Sequence, residues 1–260
     1  MVPFGFSRIP LIDEPSRDWL LDAFAWALRN ADTEVFYQQT QLILPTPEFF
    51  PERSHSAAEM ATHALNRVKR YAHMEQWPFQ LVDPNQLQSA VAVEPILEGR
   101  LRNHIVTGDV ANGTSPAQHL PALPLTCINQ QLNNPEALIG TFAQGVSYYL
   151  NTQIKELPPG GQDFLPQAID LLAIFLGFGV MLVNSAYTFK GGCGSCYNPL
   201  SNRNAALTET DTLYALAIFC ELKGLPASSA KPHLKKHLRS GFVRACKEIK
   251  KEGYADRISH

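Results

Sequence analysis

NNPEALIGTFAQGVSYYL, residues Asn133 to Leu150, is the stretch from which the fold is read. Asn134 is a good N-cap, Pro135 suits the first helical position, and Glu136 favours the positive end of the helix dipole. A helix is therefore predicted over roughly Pro135 to Ile154. Leu138, Phe142, Val146 and Tyr149 recur at helical spacing, widened by Ile139, Ala143 and Leu150, so this stripe belongs to a core. A second stripe, Thr141, Gln144, Gly145, Tyr148 and Thr152, is small and polar with one aromatic ring. Gly145 costs about 1 kcal/mol against alanine inside a helix. Two explanations stand: another backbone or a ligand approaches closely, or a functional side chain has been lost.

Downstream, the chain continues helical. Helices are predicted over roughly Gln162 to Tyr187, Asp211 to Lys223 (ended by Gly224 and Pro226) and Pro232 to Glu252. Upstream the texture is mixed. Pro15 to Arg29 is amphipathic through Trp19, Leu20, Phe24, Ala27 and Leu28. Ser56 caps a helix to about Ala72 that keeps Met60, Ala64 and Val68 on one face. TQLIL (40–44) is short and β-prone. FQLVD, LQSAVAVEP, HIVTGDV and LTCIN, between Phe79 and Asn129, read as short strands of a small, mostly antiparallel sheet. The expected fold class is α+β: one domain over 1–260, with a mixed half (1–130) and a helical half (131–260).

Composition is that of a globular chain, 45% hydrophobic and 18% charged, and the net charge of -2 creates no field toward nucleic acid or membrane. From Lys231 to His260, nine basic against three acidic residues leave +6, so the remainder carries -8. The basic end reads as a solvated helix face, or more sharply as a surface for an acidic partner. No aromatic residues interleave those charges, so nucleic-acid binding is not expected. The N-terminus lacks the pattern of a secretory signal, which places the chain in the cytoplasm with reduced thiols. Leu171 to Phe189 has no charged residue over 19 positions, long enough for a bilayer. Asp170 at its start, Asn184 and Ser185 within it, and the lack of a Lys/Arg-flanked pattern to orient it point instead to a buried helix.

The order of a β-prone strand, an Asn-Pro-capped helix and a long apolar helix with an acid near its start resembles the zincin-type metallopeptidases. More closely, it resembles a group of little-characterised bacterial proteins with that helix pair. LPTPEFFP, AIDLLAIFLGFGVMLVNSA and DTLYALAIFCELKG extend this likeness over much of the chain. In those relatives the first helix carries His-Glu-x-x-His, two zinc ligands around a general base. The apolar pattern sets that motif on Gln144, Gly145, Val146, Ser147 and Tyr148. A following Glu-x-x-x-Asp falls on Pro166 to Asp170, with Pro166 in place of the ligand glutamate.

The departures carry the functional expectation. Gln144 offers an amide, Gly145 no base, Tyr148 a phenol and Pro166 nothing, so the resemblance implies a pseudo-metallopeptidase without metal or other cofactor. It would act as an immunity, adaptor or regulatory protein, binding a protein partner through the former cleft near Gln144, Tyr148 and Asp170. Asp170 is expected to take a hydrogen bond from the Tyr148 hydroxyl or the Gln144 amide, or simply to anchor its helix. The alternative is a hydrolase on unidentified residues, or a zinc enzyme with relocated ligands. Cys193 and Cys196 in GGCGSCYNP form half of a four-ligand site at most, which His233 and His237 could complete, though both histidines lie among lysines that disfavour a cation; a glycine-rich loop with two packed or exposed thiols is the expected reading. No phosphate loop, dinucleotide fingerprint or serine elbow is present.

Overall fold

The computed structural model describes residues 10–83, 101–102, 122–127, 129–186 and 204–259. It is mostly helical, with a two-stranded sheet. The first helices are α1 (Glu14–Asn30), α2 (Thr33–Gln38) and α3 (Ala57–Tyr71). The strands are β1 (Phe79–Leu81) and β2 (Leu123–Leu125). Then follow α4 (Pro135–Thr152), α5 (Leu165–Ala173), a π-helical turn (Ile174–Phe178) and α6 (Gly179–Ser185). The chain closes with α7 (Glu209–Leu222), the short α8 (Ala227–Ala230), α9 (Arg239–Glu252) and α10 (Tyr254–Ser259).

The caps read from sequence form as hydrogen bonds. Asn134 accepts from the Ala137 N–H at 3.2 Å, and Ser56 from the Glu59 N–H at 3.1 Å. Each satisfies a donor that the first turn would otherwise leave unpaired.

The apolar helix at the centre is where the core sits. Every residue from Asp170 to Ala186 is buried, and α4 and α7 pack on this helix while α9 packs on α7. It is long and apolar enough to cross a membrane, but 94% of its most apolar window is covered by the protein's own side chains. Its solvent is protein. Asn184, which interrupts the apolar run, ties the helix end to the segment before α9: its Nδ2 donates to the His233 carbonyl at 2.9 Å, and its Oδ1 accepts from the Lys235 N–H at 3.0 Å. A buried amide is tolerated because both of its ends are paired.

A single helix over Gln162 to Tyr187 is not what forms. The π turn breaks it, with Gly177 at φ +102°. The TQLIL segment crosses here without becoming a strand: the Ile43 N–H donates to the Gly177 carbonyl at 3.0 Å. Likewise, Pro232 to Glu252 is not one helix. Leu234 is extended (φ -82°, ψ 148°), and α9 begins only at Arg239. Pro232, which has no N–H to donate, sits in a short 3₁₀ turn ahead of it.

The sheet corrects the expected antiparallel arrangement. β1 and β2 run parallel, in register Phe79 with Leu123, Gln80 with Pro124 and Leu81 with Leu125. A local β-prone run carries no information about strand direction, and a parallel pair requires a long crossover rather than a hairpin. The second strand also begins two residues earlier than LTCIN suggests. The runs LQSAVAVEP and HIVTGDV lie outside the described residues.

Arg102 is a buried cation that no sequence pattern announces. Its backbone N–H donates to Asp32 Oδ2 (2.7 Å), its Nε to the Ala72 carbonyl (3.0 Å) and its Nη2 to Thr40 Oγ1 (2.7 Å). Burial lowers its pKa to about 10 against the favourable pull of Asp32. These bonds join the turn after α1, the end of α3 and the segment leading to the π turn.

Candidate functional site

Helices α4 and α5 pack together and bring Gln144 to Asp170. The side chain of Asp170 is fully buried. Its Oδ1 accepts from Gln144 Nε2 at 2.5 Å, and its Oδ2 accepts from the backbone N–H groups of Ala206 (2.8 Å) and Leu207 (3.0 Å). Gln144 Nε2 also donates to the Asn204 carbonyl at 2.8 Å. A buried carboxylate requires such partners, because leaving it unpaired costs several kcal/mol. Of the two donors anticipated for Asp170, the Gln144 amide is the one in contact.

Tyr148 takes no part in this network. It is 49% exposed and stands edge-on to Tyr149, with ring centroids 5.2 Å apart. Pro166 is exposed in the first turn of α5, where its missing N–H is no loss. The residues aligned with the zinc motif therefore divide into an interior hydrogen-bonded pair, an exposed ring and a helix-starting proline.

Gly145 has a packing explanation. A Cβ there would lie 2.4 Å from Leu125 Cδ2, so strand β2 presses its leucine onto this point of α4. Tyr149 holds the same strand one turn on, its hydroxyl donating to the Pro124 carbonyl at 3.1 Å. Close approach is thus the operative cause, by a side chain rather than by a backbone or ligand. Gly145→Ala should lower stability by about 1 kcal/mol: the helix gains about 1, while overpacking against buried Leu125 costs about 1 to 3. In a Leu125→Ala background the same change should stabilise. Urea midpoints of the four proteins measure this, and a stabilising Gly145→Ala in the wild type would refute the contact.

The donor chemistry does not fit zinc at this joint. The amide nitrogen of Gln144 is committed to Asp170 and Asn204, Leu125 fills the place above Gly145, and Tyr148 and Pro166 face outward. Among the described residues, no three His, Cys, Asp or Glu side chains gather as a metal-ligand set. Cys193 and Cys196 lie outside the described residues. The histidines offered as their complement are not on one helix: His233 and His237 fall in separate 3₁₀ turns, and His237 Nε2 lies 3.4 Å from Glu209 Oε2. As to thiol nucleophiles, burial raises the pKa of Cys127 and Cys220 and pushes Cys246 up to about 12. These three are neutral thiols at pH 7, the unreactive form.

Sequence reasoning found Gln144 and Asp170 but missed their backbone partners at 204–207 and the role of Leu125. Neither has a local signature, since both contacts join segments far apart in the chain. Compared with protein-family models, curated proteins and solved structures, the chain matches none.

Proposed function

We propose that this chain is a non-catalytic, protein-binding relative of the zincin-type metallopeptidases, acting in the cytoplasm as an immunity, adaptor or regulatory protein. One observation carries the proposal: the Gln144–Asp170 pair directs its hydrogen bonds at the 204–207 backbone. In the enzymes this chain resembles, the first ligand position and the following aspartate serve a metal. Here the same two positions join α4, α5 and the segment entering α7. The contact between them is the one expected if Asp170 once oriented a ligand at position 144.

Tyr148 supplies the binding element. A tyrosine exposed beside a rigid joint offers a large apolar face and a hydroxyl at small entropic cost, the properties of an interface anchor. With the host protein that co-purifies with the wild type once identified and purified, Tyr148→Ala should weaken binding about tenfold or more. Titration calorimetry measures it, beside an unchanged Tm. Undiminished affinity would move the interface elsewhere. Stoichiometric zinc in untagged protein, lost on Gln144→Ala, would overturn the non-catalytic assignment and favour the zinc-enzyme alternative.

A further inference from the structure

A cavity of about 180 Å³ lies apart from the α4–α5 joint, between the 50–54 segment, α3 and the start of α4. Phe50, Met60, Ala64, Leu138 and Ile139 give it an apolar wall. Ala64, Leu138 and Ile139 are buried on two packed helices. Phe50 is held at the edge of the Tyr71 ring, and the Tyr71 hydroxyl donates to the Phe49 carbonyl at 2.6 Å. The wall is therefore preformed, as small-molecule sites generally are.

Its polar lining is Glu52, Ser54 and His63. Ser54 Oγ is 3.2 Å from His63 Nδ1. Glu52 does not complete a triad: it is bonded to Arg67, whose guanidinium holds its carboxyl below the usual range. With no group to orient the imidazole, the Ser54–His63 pair is a hydrogen-bonding head rather than a nucleophile with its base. Among the described residues His63 Nε2 has no hydrogen-bond partner.

Size and charge select the occupant. An enclosed apolar cavity of about 150 Å³ takes up benzene; this cleft, open to solvent beside exposed Glu52 and Pro135, has room for a single ring with a small substituent reaching toward the opening. A hydroxyl both donates and accepts, and so satisfies either tautomer of His63. Arg67, the cation beside this lining, is already paired with Glu52, so a carboxylate would find no free positive charge among the described lining residues. We propose that this cavity is a binding site for a small uncharged phenol, its ring against Leu138 and Ile139 and its hydroxyl on the Ser54–His63 pair.

The test is a titration of the full chain with p-cresol and, as a match lacking the hydroxyl, toluene, followed by NMR of the Met60 and Ile139 methyl groups. Both should saturate, p-cresol about twofold to tenfold tighter, the range of one net hydrogen bond. His63→Leu should remove the preference while keeping toluene binding, and Ala64→Leu should abolish both. If Ala64→Leu fails to fold, the wild type and His63→Leu decide alone. Absence of saturable binding by either compound, or a preference for p-cresol that survives His63→Leu, would overturn the proposal.

Discussion

Gly177→Ala should cost this protein about 2 to 6 kcal/mol, a large share of the roughly 5 to 15 kcal/mol that holds a domain folded. Two independent penalties add. At φ +102° any side chain is strained, by about 1 to 3 kcal/mol. A Cβ would also lie 2.1 Å from the Gln41 carbonyl oxygen, a backbone atom that cannot turn aside like a leucine methyl. Relief would require the 41–43 segment to lift away, breaking the Ile43-to-Gly177 hydrogen bond in the buried centre, a further 1 to 3 kcal/mol or so. Gly224→Ala is the control. Gly224 also has positive φ, +63°, but nothing lies within 4 Å of its would-be Cβ, so only the conformational term of about 1 kcal/mol should appear. Urea unfolding of both variants separates strain from collision. Equal losses would mean that the 41–43 segment does not cross the π turn at this point.

Asp170→Ala should be comparably damaging, about 3 to 5 kcal/mol, because it strands at least three donors at once. The Ala206 and Leu207 N–H groups would lose their acceptor, and the Gln144 amide would keep only Asn204. Asp170→Asn should cost less, since its remaining oxygen can keep the 206–207 N–H groups, while its new NH₂ group loses the bond to the Gln144 amide nitrogen, which stays on Asn204. Hydrogen exchange gives the sharper readout. In Asp170→Ala the amides of residues 206 and 207 should lose protection out of proportion to those of α9, which are remote from the joint. Uniform loss across the chain, or none at 206 and 207, would show that Asp170 does not hold that segment. The first prediction concerns how the core is threaded and the second concerns the candidate site. A protein that failed the second but passed the first would keep its fold while losing the basis of its proposed function.

Much of the helical half was legible because its signals are local. Asn134 and Ser56 cap as their positions suggest, and the stripe through Leu138, Phe142 and Val146 faces the core. Asp170 was recognisable as a residue needing a partner because a carboxylate at the head of an apolar helix must find one. Periodicity failed where a distant segment dictated the backbone. LLAIFLGFGVMLV is apolar on all sides, so no stripe marks the residue at which the helix opens to receive the Gln41–Ile43 segment. The region after Pro232 kept its apolar spacing through Leu234 and Leu238 while the backbone took two 3₁₀ turns, because burial constrains where a side chain ends and not which helix carries it.

From sequence alone came the identity of the core helices, their caps and the odd character of Gln144, Gly145 and Asp170. These depend on residues within a few turns of one another. Only the tertiary structure decided that β1 and β2 run parallel, that Leu125 is the reason for Gly145, and that Asp170 bonds to Gln144 and the 206–207 backbone. Each of these joins segments separated by twenty residues or more, and no local pattern records which distant atom will fill a gap or accept a proton.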